Sequence, residues 1–476
     1  MLRRVGLERS PRLPSQQVSV YQVECQGLQE LGFIFLPSSQ TFDSICLHAS
    51  PASTIEPPAS AISATQATQT VLSPVSNVQG KAFQRFYQIW LENTDYSDAA
   101  GDSTQKSLAS LGITLTNYYA VTHPSEPNYC AAVAGDYFGM DNDHFLQIPA
   151  NISTVVDLLD TKGISWAEYQ EALPYAGFEG FNYSNQETFN NSYVRKHNPL
   201  ILFESVTKND TRLALIKNFT SFKADVDSKT LPQWAFFTPN MTDDGHDTNL
   251  SFASTWEKGF LQPLLNDSYF MNGTLLLLTF DENENYKLPN KAFSILIGGP
   301  GVIPDSLKGT TDDTFYTHYS TISTVSVNWD LPSLGRWDCE ANVFSFVANK
   351  TGYVNTNVNT ANLYFNQSYP GPLSDKKYID KWAVPNTTAM CASGMGVLAS
   401  VKTTWANLTE TYNYTNVYPY DASSNNNNGG TPTVAGPGGA TSTSASPSSS
   451  SSKSAASGNT VSGALIFAVA LAAAIL

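Results

Sequence analysis

Two short polar clusters stand directly behind apolar runs. Glu92-Asn93 follows residues 83–91 (FQRFYQIWL), and Asp281-Glu282-Asn283-Glu284 follows residues 275–280 (LLLLTF). Each alone could be a solvated turn. Together, Glu92, Asn93, Asp281 and Glu282 make an oxygen-rich set suited to one divalent metal ion. Of six histidines, His123, His246 and His318 lie in polar motifs at element boundaries. Imidazoles gathered near a cation can bind phosphoryl oxygens and deliver a proton to a leaving group. His48, His144 and His197 read as surface or capping residues. Ser125 precedes Glu126-Pro127-Asn128 and a short helical run at 129–134. Serine followed closely by proline is a common helix start. The same position places a hydroxyl where a helix favours anions, so Ser125 is also a candidate nucleophile that needs activation, for example by the cation.

Such groups need a scaffold that brings distant segments together. Apolar runs at 83–91, 233–237, 275–280 and 293–297 read as buried strands. Residues 153–161, 211–226 and 318–329 read as helices. Their alternation implies an α/β domain with a largely parallel central sheet, in which ligands bind beyond the carboxyl ends of the strands. The polar clusters lie at those ends.

The chain has 476 residues, 41% hydrophobic, with a formal net charge of -15 and a pI near 4.8. It can bury a full core, and its scattered basic residues argue against nucleic acid binding. An acidic protein repels phosphate esters at long range, so such a ligand requires local positive charge. Fourteen Asn-X-Ser/Thr acceptors, among them Asn240 and Asn366, favour the secretory route and N-linked glycans. Five cysteines are too few for a disulfide framework. Cys339 and Cys391 are the candidate bridge, and Cys130 a buried thiol.

The ends differ from the middle. Residues 1–75 lack periodicity and read as an atypical or mis-assigned, disordered N-terminal segment without a standard leader. The catalytic domain is assigned to 76–421. Residues 422–462 form a Ser/Asn/Gly/Thr-rich stalk, and the apolar tail 463–476 reads as a glycolipid (GPI) anchor signal, the expected membrane attachment.

The set Trp90-Leu91-Glu92-Asn93, Pro124-Ser125-Glu126-Pro127-Asn128-Tyr129, Pro239-Asn240 with Asp243-Asp244-Gly245-His246-Asp247, Thr279-Phe280-Asp281-Glu282-Asn283 and Thr317-His318-Tyr319-Ser320 resembles the phosphoesterase family of fungal secreted acid phosphatases and bacterial phospholipases C. The motifs stand in family order over roughly residues 80–345. The resemblance implies an alkaline-phosphatase-like three-layer sandwich. It implies a metal held by Glu92, Asn93 and Asp281, with Glu282 as ligand or neighbour, and Ser125 as nucleophile. His123, His246 and His318 then serve phosphate binding and proton transfer. Glu-Asn-Thr-Asp-Tyr, where phospholipase members have Glu-Asn-Arg-Ser-Phe-Asp, favours the acid phosphatase branch. The expected activity is hydrolysis of phosphate monoesters through a phosphoserine, for phosphate scavenging outside the cell, at the surface or wall. Phospholipase C and a non-catalytic wall glycoprotein are the alternatives. Imidazoles of ordinary pKa, near 6.5, are cationic in mild acid, which fits an acid optimum. Asn240 lies in the expected site and should carry no sugar.

Overall fold

A computed structural model describes residues 55–361 and 363–406. Eight strands form its main sheet: β1 (Arg85–Leu91), β2 (Ile113–Leu115), β3 (Trp166–Gln170), β4 (Ile216–Asn218), β5 (Trp234–Thr238), β6 (Thr274–Phe280), β7 (Ser294–Gly298) and β8 (Thr310–Asp312). Their order is β8-β2-β7-β6-β1-β5-β3-β4. Only β7 pairs antiparallel with its neighbours, and the other pairings are parallel. This is the α/β class with a largely parallel sheet. Parallel strands are covered on both faces and therefore read as unbroken apolar runs. All residues of β6 (TLLLLTF) are buried, as are Phe86 to Leu91 in β1.

The helices include α1 (Ala59–Thr68), α2 (Ser125–Ala134), α3 (Val155–Asp160), α4 (Phe219–Ser228), α5 (Leu250–Leu265) and α6 (Ser320–Trp329). Every residue of α2 is buried, and its alanines permit close packing. It ends at Gly135, φ 69°, a left-handed conformation that costs glycine little. A β-carbon there would also meet Asp338 Oδ1 at 2.9 Å.

The helix expected at 211–226 is interrupted. Ile216–Asn218 pairs with Glu168–Gln170 as the edge strand β4, and the Asn218 side chain then caps α4 through the Ser221 amide at 3.0 Å. A buried Lys217–Asp225 pair at 2.5 Å joins this strand to the helix. The amino-terminal side also departs from expectation, because α1 lies in the stretch read as non-periodic. Gln66 Nε2 donates to Pro174 O (2.7 Å), and Ser73 Oγ to Asp225 Oδ1 (2.5 Å), so these residues hydrogen-bond to the α/β unit. Cys339 and Cys391 are joined by a disulfide, and Cys130 is a buried free thiol. The leader, stalk and tail assignments fall on residues 1–54 and 407–476, outside the described residues. Among the described residues no helix is long and apolar enough to cross a membrane.

Candidate active site

The neighbouring strands β5, β1 and β6 run parallel, so their carboxyl ends open on one edge of the sheet. Backbone bonds lock these ends together. Asp281 N donates to Leu91 O (2.9 Å), and Glu92 N to Asp244 O (3.0 Å) in the segment following β5. Glu92 is 1% exposed and Asp281 fully buried. The first residue of α2 puts the Ser125 hydroxyl against them, donating to Glu92 Oε2 at 3.3 Å. Tyr129, one turn along α2, donates to Glu92 Oε1 at 2.9 Å.

Glu92 sits beside a residue that sequence reasoning set aside. His197 is 2% exposed, with Nε2 2.9 Å from Glu92 Oε1 and Nδ1 3.4 Å from Asp244 Oδ2. It is neither a surface nor a capping residue. Its burial disfavours a cation, but Glu92 and Asp244 outweigh this and raise the imidazole to about 9. Reciprocally, burial opposes the charge of Glu92, yet His197 holds that carboxyl well below the usual range. Burial takes Asp244 up to about 6, His197 limiting the rise. Lys196, the adjoining residue, lies 3.2 Å from Asp143 and 3.3 Å from His246 Nε2. Burial works against its charge, but Glu92 and Asp143 hold it cationic beyond the ordinary lysine range. Here is the local positive charge that an anionic ligand needs. The signal was present in sequence as Arg195-Lys196-His197, three consecutive basic residues in a strongly acidic chain.

On the other side, Glu282 is enclosed by His123 Nδ1 (2.8 Å), Asn93 Nδ2 (2.7 Å) and Asn128 Nδ2 (3.1 Å). Asn128 also accepts from Val121 N and donates to Thr122 O, both at 2.9 Å, which fixes the loop ahead of Ser125. His123 stacks on Tyr286 with ring centres 3.7 Å apart.

The expected histidines thus divide. His123 reaches the cluster. His246 stands at its rim, Nδ1 2.9 Å from Asp247 Oδ1, lining an open cleft with Asn93, Thr94, Glu284 and Tyr286. His318 does not face open space. Its Nε2 meets the Asp281 backbone oxygen at 2.6 Å and its Nδ1 the Tyr118 hydroxyl at 3.1 Å, while the ring lies 4.3 Å from that of Trp90. Burial drives its pKa down to about 3, the Asp281 carbonyl opposing only in part. Both ring nitrogens are thus engaged in this structure, one with Asp281 and one with Tyr118, rather than turned to the cleft.

A cation fits this donor set. Burial, then the charges of Glu92 and Glu282, push the Asp281 carboxyl well above its ordinary range, and its Oδ2 is buried without a hydrogen-bond partner of ordinary geometry. Glu92, His197 and Asp244 form a second group whose ligand atoms lie within 4.8 Å of one another. Glu92 is common to both sets. The first has the greater need, because His197 already brings positive charge to the second.

Asn240 lies in a tight turn. Its Nδ2 donates to Asp243 Oδ2 at 2.6 Å and its Oδ1 accepts from the Thr242 and Asp243 amides.

Residues 94–332 match the profile of the phosphoesterase family. The chain is 63% identical over 381 residues to an acid phosphatase of Aspergillus fumigatus, covering 79% of this chain and 85% of that one. It is 56% identical over 363 residues to a phosphate-repressible acid phosphatase of Penicillium chrysogenum, covering 76% and 87% respectively. A more distant likeness, 29% over 232 residues, links it to a phosphatidylinositol-3-phosphatase of Mycobacterium tuberculosis, with 48% of this chain and 70% of the other covered.

Proposed function

This chain belongs to the phosphoesterase family and is a phosphoric monoester hydrolase of the acid phosphatase kind; from that premise we propose that it works through a phosphoserine at Ser125 with one divalent metal ion. The observation that carries the reading is the buried Ser125 hydroxyl at the start of a ten-residue helix, against Glu92 and beside Asp281. Glu92, Asp281 and Asn93 would hold the cation, with His197 as counter-charge to Glu92. When bound, such an ion supplies Lewis-acid polarisation and neutralises oxyanion charge.

The chain's own residues then divide the work. Ser125 Oγ passes its proton to Glu92, to which it already donates, and bonds to phosphorus as the bond from phosphorus to the ester oxygen breaks. The helix start at Ser125 and Lys196 stabilise the phosphoryl oxygens. As Lys196 turns from His246 Nε2 to the phosphoryl oxygens, that nitrogen is left free to carry the proton that His246, oriented by Asp247, gives to the departing alkoxide. Water then attacks phosphorus and leaves a proton on His246, while the serine oxygen departs and regains the proton held by Glu92, releasing inorganic phosphate. Ser125→Ala should lose about four orders of magnitude or more in turnover of a phosphomonoester while keeping its melting temperature. Near-normal turnover would remove Ser125 from the mechanism.

The same reading places the enzyme outside the cell, scavenging phosphate, with glycans on exposed acceptors such as Asn151 and Asn349 and a glycolipid anchor from the tail. Support comes from the acceptor density and the tail's composition. Asn240, with its amide engaged, stays free of sugar. An endoglycosidase mobility shift, glycopeptide mapping and release from the cell surface by a lipid-anchor-cleaving phospholipase test these points. No shift, a glycan at Asn240, or no release would each refute the matching claim.

A further inference from the structure

Asn366 lies beyond the family-matched stretch, yet its side chain reaches the site. Its Oδ1 is 3.2 Å from His123 Nε2. Its Nδ2 donates to the backbone oxygens of Tyr286 (2.7 Å) and Leu288 (2.9 Å). Two acceptors on the nitrogen decide the amide's orientation, since the reverse would set its oxygen against two carbonyls. The oxygen therefore faces His123, and Nε2 of that ring must carry hydrogen. With Nε2 committed, Nδ1 faces Glu282 at 2.8 Å.

The same bonds hold the segment carrying Tyr286, whose ring covers His123 and lines the cleft. The support is itself anchored. Leu363 and Phe365 are buried in a small cluster with Tyr119 and Phe315. Asn290 donates its backbone N–H to Tyr364 O (2.8 Å) and its Nδ2 to Phe365 O (3.1 Å).

We infer that Asn366 is a positioning residue: it sets the orientation and hydrogen placement of His123, pins Tyr286 over that ring, and for this reason its acceptor motif carries no glycan. Both amide hydrogens are in use, and attachment of a sugar to Nδ2 replaces one of them. The modification would break a bond that the arrangement needs. Asn366-Gln-Ser368 thus differs from exposed acceptors such as Asn349, whose side chain sits at the surface.

The inference rests on the reading of His123 as a site residue, and the test separates the two. Full-length Asn366→Ala, His123→Ala and the double variant are compared on a phosphomonoester, with melting temperatures as a check on folding. Asn366→Ala should lower kcat by roughly 10- to 100-fold, by analogy with loss of the partner that orients a metal-ligating histidine, with KM changed much less. In the His123→Ala background it should add nothing, because its effect passes through that ring. Equal losses in both backgrounds, or full kcat in Asn366→Ala, would overturn the inference and leave the assignment of His123 intact. Full activity in His123→Ala would instead strike the functional reading and this inference with it. Where Asn366→Ala does not fold, peptide mapping of the native glycoprotein decides. An unmodified amide at residue 366 is expected, and a glycan there on active enzyme would overturn the inference.

Discussion

The floor and the rim of the site obey different physics. On the floor, Glu92, Ser125, Asp281 and His318 are buried at strand ends and a helix start, each fixed by backbone geometry or by ring contacts. At the rim, Lys196, His246, Tyr286 and Asn366 come from connecting segments and are partly open to solvent. Burial makes the floor electrostatically unforgiving. Its carboxyls are pushed far from ordinary behaviour, and His318 is kept neutral. The rim, more solvated, suits proton delivery and substrate capture. The proposed mechanism thus takes its attacking oxygen from the buried floor and its proton donor from the solvated rim.

Breaking the floor should cost most. Asp281→Asn keeps the shape but removes a buried charge, and purified variant should retain no bound divalent ion and almost no turnover. Metal analysis giving one ion per chain in the variant would shift the proposed cation to the Glu92, His197 and Asp244 group. At the rim, losses should be smaller and selective. His246→Gln should slow hydrolysis of alkyl phosphates by about 10²- to 10⁴-fold, the usual weight of general acid catalysis, but aryl phosphates far less, since a good leaving group needs no proton. Equal slowing of both would deny His246 the proton. Lys196→Met should raise KM for a monoester by about 10- to 100-fold, the worth of one charge-assisted hydrogen bond. An unchanged KM would place Lys196 outside phosphate binding.

The smallest expected effect lies away from the site and concerns stability. Glu257 on α5 is buried, accepting from Gln105 Nε2 at 2.5 Å, and burial raises its carboxyl to about 8. An unfolded glutamic acid titrates near 4.5. Between these values the folded state keeps a proton that the unfolded state has lost. Stability therefore falls as pH rises from about 4.5 towards 8, by up to about 1.4 kcal/mol per unit. Glu257→Gln should flatten that decline, measured as melting temperature between pH 5 and 7.5. An unaltered slope would show that Glu257 is not its source. The direction suits a protein working in acid.

Floor residues were legible because apolar runs such as 275–280 end abruptly in acids, so the strand end and its chemistry are adjacent in sequence. Contacts made across the fold were harder to read. His197 became a partner of Glu92 only through the path of the chain around the sheet, and nothing in its local periodicity reports that contact. The three-residue strand β4 is too short to show a period of two, which let 211–226 pass for one helix. His318 was found, but its motif could not tell a ring facing phosphate from a ring turned beneath Asp281. Asn366 sits in an irregular segment, where its acceptor motif points to a surface sugar rather than to His123.

The central claim is covalent: during turnover the phosphoryl group resides on Ser125. Acid quenching of the enzyme in steady state with a phosphomonoester, followed by proteolysis and mass spectrometry, tests it directly. Phosphate on the peptide containing Ser125, absent from Ser125→Ala, is the predicted result. Phosphate on another residue, or turnover with no trapped phosphopeptide in an enzyme that Ser125→Ala leaves active, would contradict it.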